Sequence, residues 1–132
     1  VSAAQKNMAS AILESAGVAI WFNDESALDA VTAVSGSGPA YFFLLMESMI
    51  DAARTLGLDD QSAKQLVLQT ALGAARLALA GEDDPATLRR KVTSPGGTTA
   101  AAIAIFEQGG FGKLVTTALT AARNRSVELS GN

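Results

Sequence analysis

An all-α fold is predicted for this 132-residue chain by three features of its sequence. Apolar residues recur at three- and four-residue steps over long stretches, while prolines and small polar residues stand where helices would begin and glycines where they would stop. Only one run, Val18-Ala19-Ile20-Trp21-Phe22, is strongly β-prone, too little to build a sheet.

From Ser2 to Ala16, Met8, Ile12 and Ala16 form a stripe flanked by Ala9 and Leu13, an amphipathic helix with Gly17 as its stop. Val18–Phe22, ended by Asn23-Asp24-Glu25, reads as a strand. A lone strand leaves its backbone groups without a ladder, so it needs a sheet from another segment or chain. Residues 1–23 are therefore expected to be the last helix and strand of an upstream α/β domain, and residues 24–132 a helical domain. Asp24 to Thr32 reads as a short helix capped by Asp24 or Ser26, followed by a small-residue turn, Ser35-Gly36-Ser37-Gly38. Pro39 opens a long helix to about Leu56, with Ser37 as cap and Gly57 as stop. Phe42, Phe43, Leu45, Met46, Met49, Ile50, Ala53 and Leu56 cover more than half of its circumference, which demands burial on two sides. Asp59-Asp60 starts a helix to Ala80, smooth along Leu66, Thr70, Ala74 and Leu77, and Gly81 closes it. Asp83-Asp84-Pro85 begins a short helix to about Lys91. After Thr93–Thr99 come a helix over Ala100–Gln108, a Gly109-Gly110 break, and a last helix from Phe111 or Gly112 to about Leu129. That helix is expected to bury Leu114, Val115, Ala118, Leu119 and Ala122, and Ser130-Gly131-Asn132 to fray.

Composition narrows the chemistry. A hydrophobic content of 48% is ample for a core, and the charge of −3 with scattered basic residues leaves no nucleic-acid footprint. Arg89-Arg90-Lys91 reads as a solvated helix face, with attraction of an anionic ligand by Arg89 or Lys91 as the alternative. Without cysteine or histidine there are no disulfides, thiolate nucleophiles, imidazole-ligated zinc or Ser/His/Asp triads, and no metal site is expected. Acid–base work falls to carboxylates, Lys, Tyr, hydroxyls or the substrate itself. No apolar run is long enough to span a bilayer, and the first residues lack the order of a signal peptide, so a cytoplasmic protein is expected.

The most informative stretch is Thr93-Ser94-Pro95-Gly96-Gly97-Thr98-Thr99, hydroxyls, a proline and two glycines at a helix start. The first N–H groups of a helix lack partners and carry the positive end of its dipole, so a small anion can bind there, and glycines let it approach the backbone. A capped helix start with proline in its first turn is the plain alternative. Gly36-Ser37-Gly38 is not a dinucleotide fingerprint, since Tyr41 stands where a third glycine belongs, nor a P-loop, since no Gly-Lys-Ser/Thr follows. It is a second small-residue helix start, able to converge with the first on one small anionic ligand.

Taken together, Asp29-Ala-Val-Thr-Ala-Val-Ser-Gly-Ser-Gly-Pro-Ala-Tyr41 and Val92-Thr-Ser-Pro-Gly-Gly-Thr-Thr99, two long helices apart and followed by Phe106-Glu-Gln-Gly-Gly-Phe111, closely resemble the C-terminal part of pyrroline-5-carboxylate reductase. The resemblance runs over essentially the whole chain. It implies reduction of the imine of 1-pyrroline-5-carboxylate to L-proline with NADPH or NADH, the last step of proline biosynthesis. It also implies a helical bundle that interlocks with a second chain into a homodimer, often assembled further, beside a Rossmann domain that holds most of the cofactor. By the same likeness the loop from Val92 to Thr99 holds the substrate. The backbone around Gly96, Gly97 and Thr98 and the Ser94 hydroxyl would take its carboxylate, and Thr99 the ring nitrogen as hydrogen-bond partner and proton relay. Glu82 matches an acidic position near the substrate, and Ser35, Gly36, Ser37 and Gly38 would face the nicotinamide. Tyr41 and Trp21 are read as core aromatics.

Two other readings remain. The chain alone acts only as a helical oligomerisation module, or it is the helical domain of another NAD(P)-dependent dehydrogenase. The second is disfavoured, because hydroxy-acid enzymes of that kind commonly use a helix-borne Lys with Asn or His, and no matching group stands beside these glycine loops.

Overall fold

The computed structural model describes residues 1–131; Asn132, the last residue of the expected frayed end, lies outside them. Seven α-helices follow one another among the described residues: α1 (Ala3–Glu14), α2 (Ala27–Val31), α3 (Gly38–Thr55), α4 (Asp60–Ala80), α5 (Pro85–Lys91), α6 (Thr98–Gln108) and α7 (Phe111–Ser130). A π-helical turn, Thr32–Gly36, joins α2 to α3.

Caps explain most of the boundaries. Ser2 and Gln5 form a reciprocal capping box at α1. Asp59 accepts the Ser62 N–H at 3.0 Å to start α4, and Asp84 accepts the Thr87 N–H at 2.6 Å to start α5, with Pro85 in its first turn. At the end of α3, Gly57 takes φ +98°, which lets Leu58 N–H reach Ala53 O and Gly57 N–H reach Arg54 O, a Schellman closure. Hydrogen bonds from Ser62, its side chain foremost and then its amide, hold the Asp59 carboxyl below the usual range. The Thr87 amide and then its side chain do the same for Asp84. Both groups bind protons less readily folded than unfolded, so their support is present above the unfolded value of about 4 and is lost as pH falls through the folded value. Helicity by circular dichroism should therefore stay level from about pH 8 to about pH 5 and fall below about pH 4. Asp59→Asn with Asp84→Asn, which keeps the caps without the charge, should lessen that acid-induced loss; an unchanged acid limb would refute this origin.

Three findings depart from the sequence-based reading. The first is that α2 and α3 are not separated by a turn. Val31, Thr32 and Ser37 all have right-handed helical φ and ψ, and Ser37 N–H bonds to Thr32 O five residues back at 2.8 Å. Ser37 places no side-chain cap on α3, and neither Gly36 nor Gly38 uses a positive φ. The Tyr41 hydroxyl donates to Ala33 O at 3.1 Å across this junction. Asp24 accepts the Ser26 N–H, and Ser26 makes no side-chain cap. The second departure concerns the core.

Among the described residues only Ala33, Ala63 and Val67 are buried apolar side chains. α3 packs on α4, α7 returns to α2 and the π turn, and α6 packs on α7. Ser126 on α7 donates to Asp29 on α2 at 2.7 Å, and Phe106 meets Phe111 edge-on with centroids 5.5 Å apart. Otherwise the apolar faces lie open. Phe42, Phe43 and Leu44 are each about 65% exposed, and the expected α7 stripe is open at Leu114 and Val115, with Leu119 and Ala122 only half-buried. The face of α4 read at Leu66 and Leu77 is exposed as well. The chain exposes 10464 Å², whereas a compact monomer of 13.5 kDa would expose about 6,500 Å². The excess, roughly 4,000 Å² per chain, exceeds one side of even a large obligate interface. Within the single chain these helices therefore pack without a substantial core of their own.

Val18–Phe22 makes no strand among the described residues, since nothing in the chain offers it a ladder. It folds back instead on α1, where Trp21 Nε1 donates to Ser10 Oγ at 2.8 Å and Lys6 Nζ lies 4.9 Å from the indole centre. Trp21 remains 41% exposed and so is not a core aromatic within this chain. No helix among the described residues is long and apolar enough to cross a membrane.

Candidate functional site

The loop between α5 and α6 is built by a β-turn. Pro95 supplies its second residue and Gly96, at φ +70°, its third, and Gly97 N–H closes it on Ser94 O at 3.0 Å. Proline therefore stands before the helix, so the plain alternative of a proline in its first turn does not hold. A Cβ on Gly97 would lie 3.1 Å from Ser94 O, so a side chain there would press on the turn by a few tenths of an ångström. Gly97 is the N-cap of α6, with no side-chain cap, and Ala101 N–H bonds to its carbonyl at 3.2 Å.

The amides of Thr98, Thr99 and Ala100 are consequently left without an acceptor among the described residues, as is that of Gly96. The Gly97 amide, expected to help grip an anion, is not free, because the turn consumes it. Ser94, Thr98 and Thr99 are exposed, and their hydroxyls have no partner among the described residues. Thr93 differs: it donates to Arg89 O at 2.6 Å and ties the loop's first residues to α5. Val92, the C-cap of α5, is 59% exposed.

Around the loop, Arg89, Arg90 and Lys91 are exposed in the last turn of α5, where they complement its negative dipole end. Lys91 pairs with Asp83 and Arg90 bonds Thr87 Oγ1 at 2.7 Å, while Arg89 Nη1 reaches Glu107 Oε1 on α6 at 3.1 Å. Glu82 stands exposed after α4, with no hydrogen bond to the loop among the described residues. The Arg89–Glu107 pair was not foreseen, since eighteen residues and a turn separate its members and no local spacing connects them.

Ser35–Gly38 does not form a second helical tip. Ser37 N–H is spent on Thr32 O, Ala40 N–H on Ser37 O, Pro39 has none, and Gly38 is buried. What remains accessible is the exposed edge at Ser35 and Gly36. This segment packs with α2, α3 and α7, whereas Thr93–Thr99 leads into α6. The principal helix contacts thus do not bring the two motifs onto one anion within a single chain.

The arrangement can hold a small carboxylate at the start of α6 and present the Thr99 hydroxyl beside it. Ser35–Gly38 offers no cradle of free amides for a phosphate.

Comparison with known proteins places these features. A family model described as pyrroline-5-carboxylate reductase dimerisation matches residues 25–129. The chain is 59% identical over 130 residues to the pyrroline-5-carboxylate reductase of Pseudomonas aeruginosa, covering 98% of this chain and 48% of that protein. With the enzyme of the same name from Haemophilus influenzae it shares 42% over 125 residues, 94% of this chain and 46% of that one. A solved pyrroline-5-carboxylate reductase from Coxiella burnetii superposes with a TM-score of 0.94 at 49% identity, over 98% of this chain and 48% of that one. A pyrroline carboxylate reductase from Plasmodium falciparum, solved with NADP bound, superposes at 0.84 with 36% identity, over 96% and 48%. The chain spans about half the length of the curated relatives it matches.

Proposed function

The chain belongs to the pyrroline-5-carboxylate reductase family, and from that premise we propose that it is the C-terminal part of an enzyme reducing 1-pyrroline-5-carboxylate to L-proline. The observation that carries the reading is the start of α6, where the amides of Thr98, Thr99 and Ala100 and the hydroxyls of Ser94 and Thr99 stand without internal partners behind a glycine turn. Those amides and the Ser94 hydroxyl hold the substrate carboxylate, with Gly96 and Gly97 keeping side chains out of its way and Val92 at the loop's edge. Thr99 donates or accepts at the ring nitrogen and relays its proton. A protonated cyclic imine is already electrophilic, so the protein's task is orientation and charge placement, and histidine is not needed. Glu82 belongs to the same proposal as an acidic neighbour of the substrate.

NADPH or NADH, when bound, supplies the hydride that becomes the new C–H bond at the imine carbon. The exposed edge at Ser35 and Gly36, with Ser37 and Gly38 behind it, is proposed to face the nicotinamide, and the rest of the cofactor to be held by residues outside 1–132. Residues 1–23 are proposed as the terminal helix and strand of that nucleotide-binding domain, and residues 24–132 as the helical domain. The open apolar faces support pairing with a second copy, and on its own the 132-residue chain would then serve as an interlocking module. A cytoplasmic location rests on the biosynthetic character of the reaction.

The test is nicotinamide oxidation by the longer polypeptide that contains this chain, its length fixed by intact mass. Oxidation of NADPH or NADH should depend on added pyrroline-5-carboxylate and yield proline. A longer form, folded and cofactor-bound, that leaves the nicotinamide unoxidised would refute the assignment.

A further inference from the structure

α5 makes no substantial packing contact with any other helix among the described residues. Within the single chain its direction relative to α6, and with it the course of the Val92–Gly97 loop, is left to a few polar contacts. Thr93 Oγ1 to Arg89 O at 2.6 Å and Gly97 N–H to Ser94 O at 3.0 Å fix the loop's two ends separately. Arg89 Nη1 to Glu107 Oε1 at 3.1 Å is the one ion pair among the described residues that joins the helices on either side of the loop. The same Arg89 whose carbonyl anchors Thr93 therefore reaches across to α6 with its side chain.

From this geometry we infer that Arg89 and Glu107 are positioning residues, a clasp that sets the carboxylate-binding loop against the start of α6. The inference rests on the functional reading above. The pair is more than half exposed on both sides, so its removal should barely alter global stability. Its effect falls instead on the fraction of molecules whose loop is correctly placed, which enters the apparent substrate affinity.

The alternative role for Arg89, drawing in an anionic substrate by its charge, makes the opposite forecast for its partner. If Arg89 steers, Glu107→Gln removes a repelling charge and lowers KM. If the two form a clasp, Glu107→Gln raises KM as Arg89→Gln does, by about five-fold each.

The experiment measures kcat and KM for pyrroline-5-carboxylate in the full-length enzyme carrying Arg89→Gln, Glu107→Gln, both, or the exchange Arg89→Glu with Glu107→Arg. Both single variants should raise KM with kcat nearly unchanged, the double should be no worse than either single, and the exchange should recover affinity. A lowered KM in Glu107→Gln, additive singles, an exchange that fails to recover, or KM values equal to wild type would each overturn the clasp. Melting temperatures are read alongside, and a fall in stability without a change in KM also counts against it. Wild-type enzyme that does not turn over pyrroline-5-carboxylate would instead overturn the functional reading, which keeps the two failures distinct.

Discussion

Thr99→Ala in the full-length enzyme is expected to lower turnover about 100-fold while leaving melting temperature and nicotinamide affinity unchanged. The residue sits in the first turn of α6, exposed, and its hydroxyl has no partner among the described residues. Deleting that hydroxyl therefore removes no internal bond and opens no cavity, and alanine is the better helix former. What is lost is the group proposed to meet the ring nitrogen, where charge changes most as the imine becomes an amine. Thr99→Ser should restore most of the rate, because it returns the hydroxyl without the methyl. Steady-state kinetics decide the matter, and wild-type values in Thr99→Ala would remove the residue from the mechanism.

Introducing Phe42→Asp together with Leu44→Asp is expected to abolish self-association altogether. The two positions lie about 200° apart around α3, so between them they charge opposite sides of the helix. Each is about 65% exposed in the single chain, so neither substitution empties an existing core. In a paired assembly the same carboxylates would have to enter an apolar interface without partners, at a penalty of several kcal/mol per ion. Light scattering of the unsubstituted chain should give a dimer or a multiple of it at micromolar concentration, and the variant a monomer of reduced helicity. An unsubstituted chain that stays monomeric and fully helical, or a variant that still dimerises, would refute the interlocked arrangement.

Sequence alone resolved most of the architecture. Helix starts at Asp59 and Asp84 and stops at Gly57 and Gly81 were legible because caps and C-terminal glycines act within a few residues of where they stand. The apolar circumference of α3 was equally plain, and in the single chain that circumference lies largely open. The Ser35–Gly38 segment misled for a definite reason. Its composition favours a turn, but the π-helical continuation comes with packing against the distant α7 and with the Tyr41 bond to Ala33, neither of which the composition of the segment announces. At the loop, the glycines announced close backbone approach. They could not tell which amide the Ser94–Gly97 turn would consume or that Arg89 would reach Glu107, since both depend on how α5 and α6 are set in space.

The π turn carries a consequence for register. Residues 27–55 trace a single right-handed path in which Thr32–Gly36 holds one residue more than an α-helix would need. Because the wider turn absorbs that residue, deleting one there would convert the junction to ordinary α-helix and leave α3 at nearly the same rotation about its axis. The apolar side chains beyond Tyr41 would keep the quarter they face, and what would go is the widened turn itself, with the edge it presents at Ser35 and Gly36. A single inserted position thus bulges the backbone at Ser35 and Gly36 without disturbing the rotation of the helix that follows.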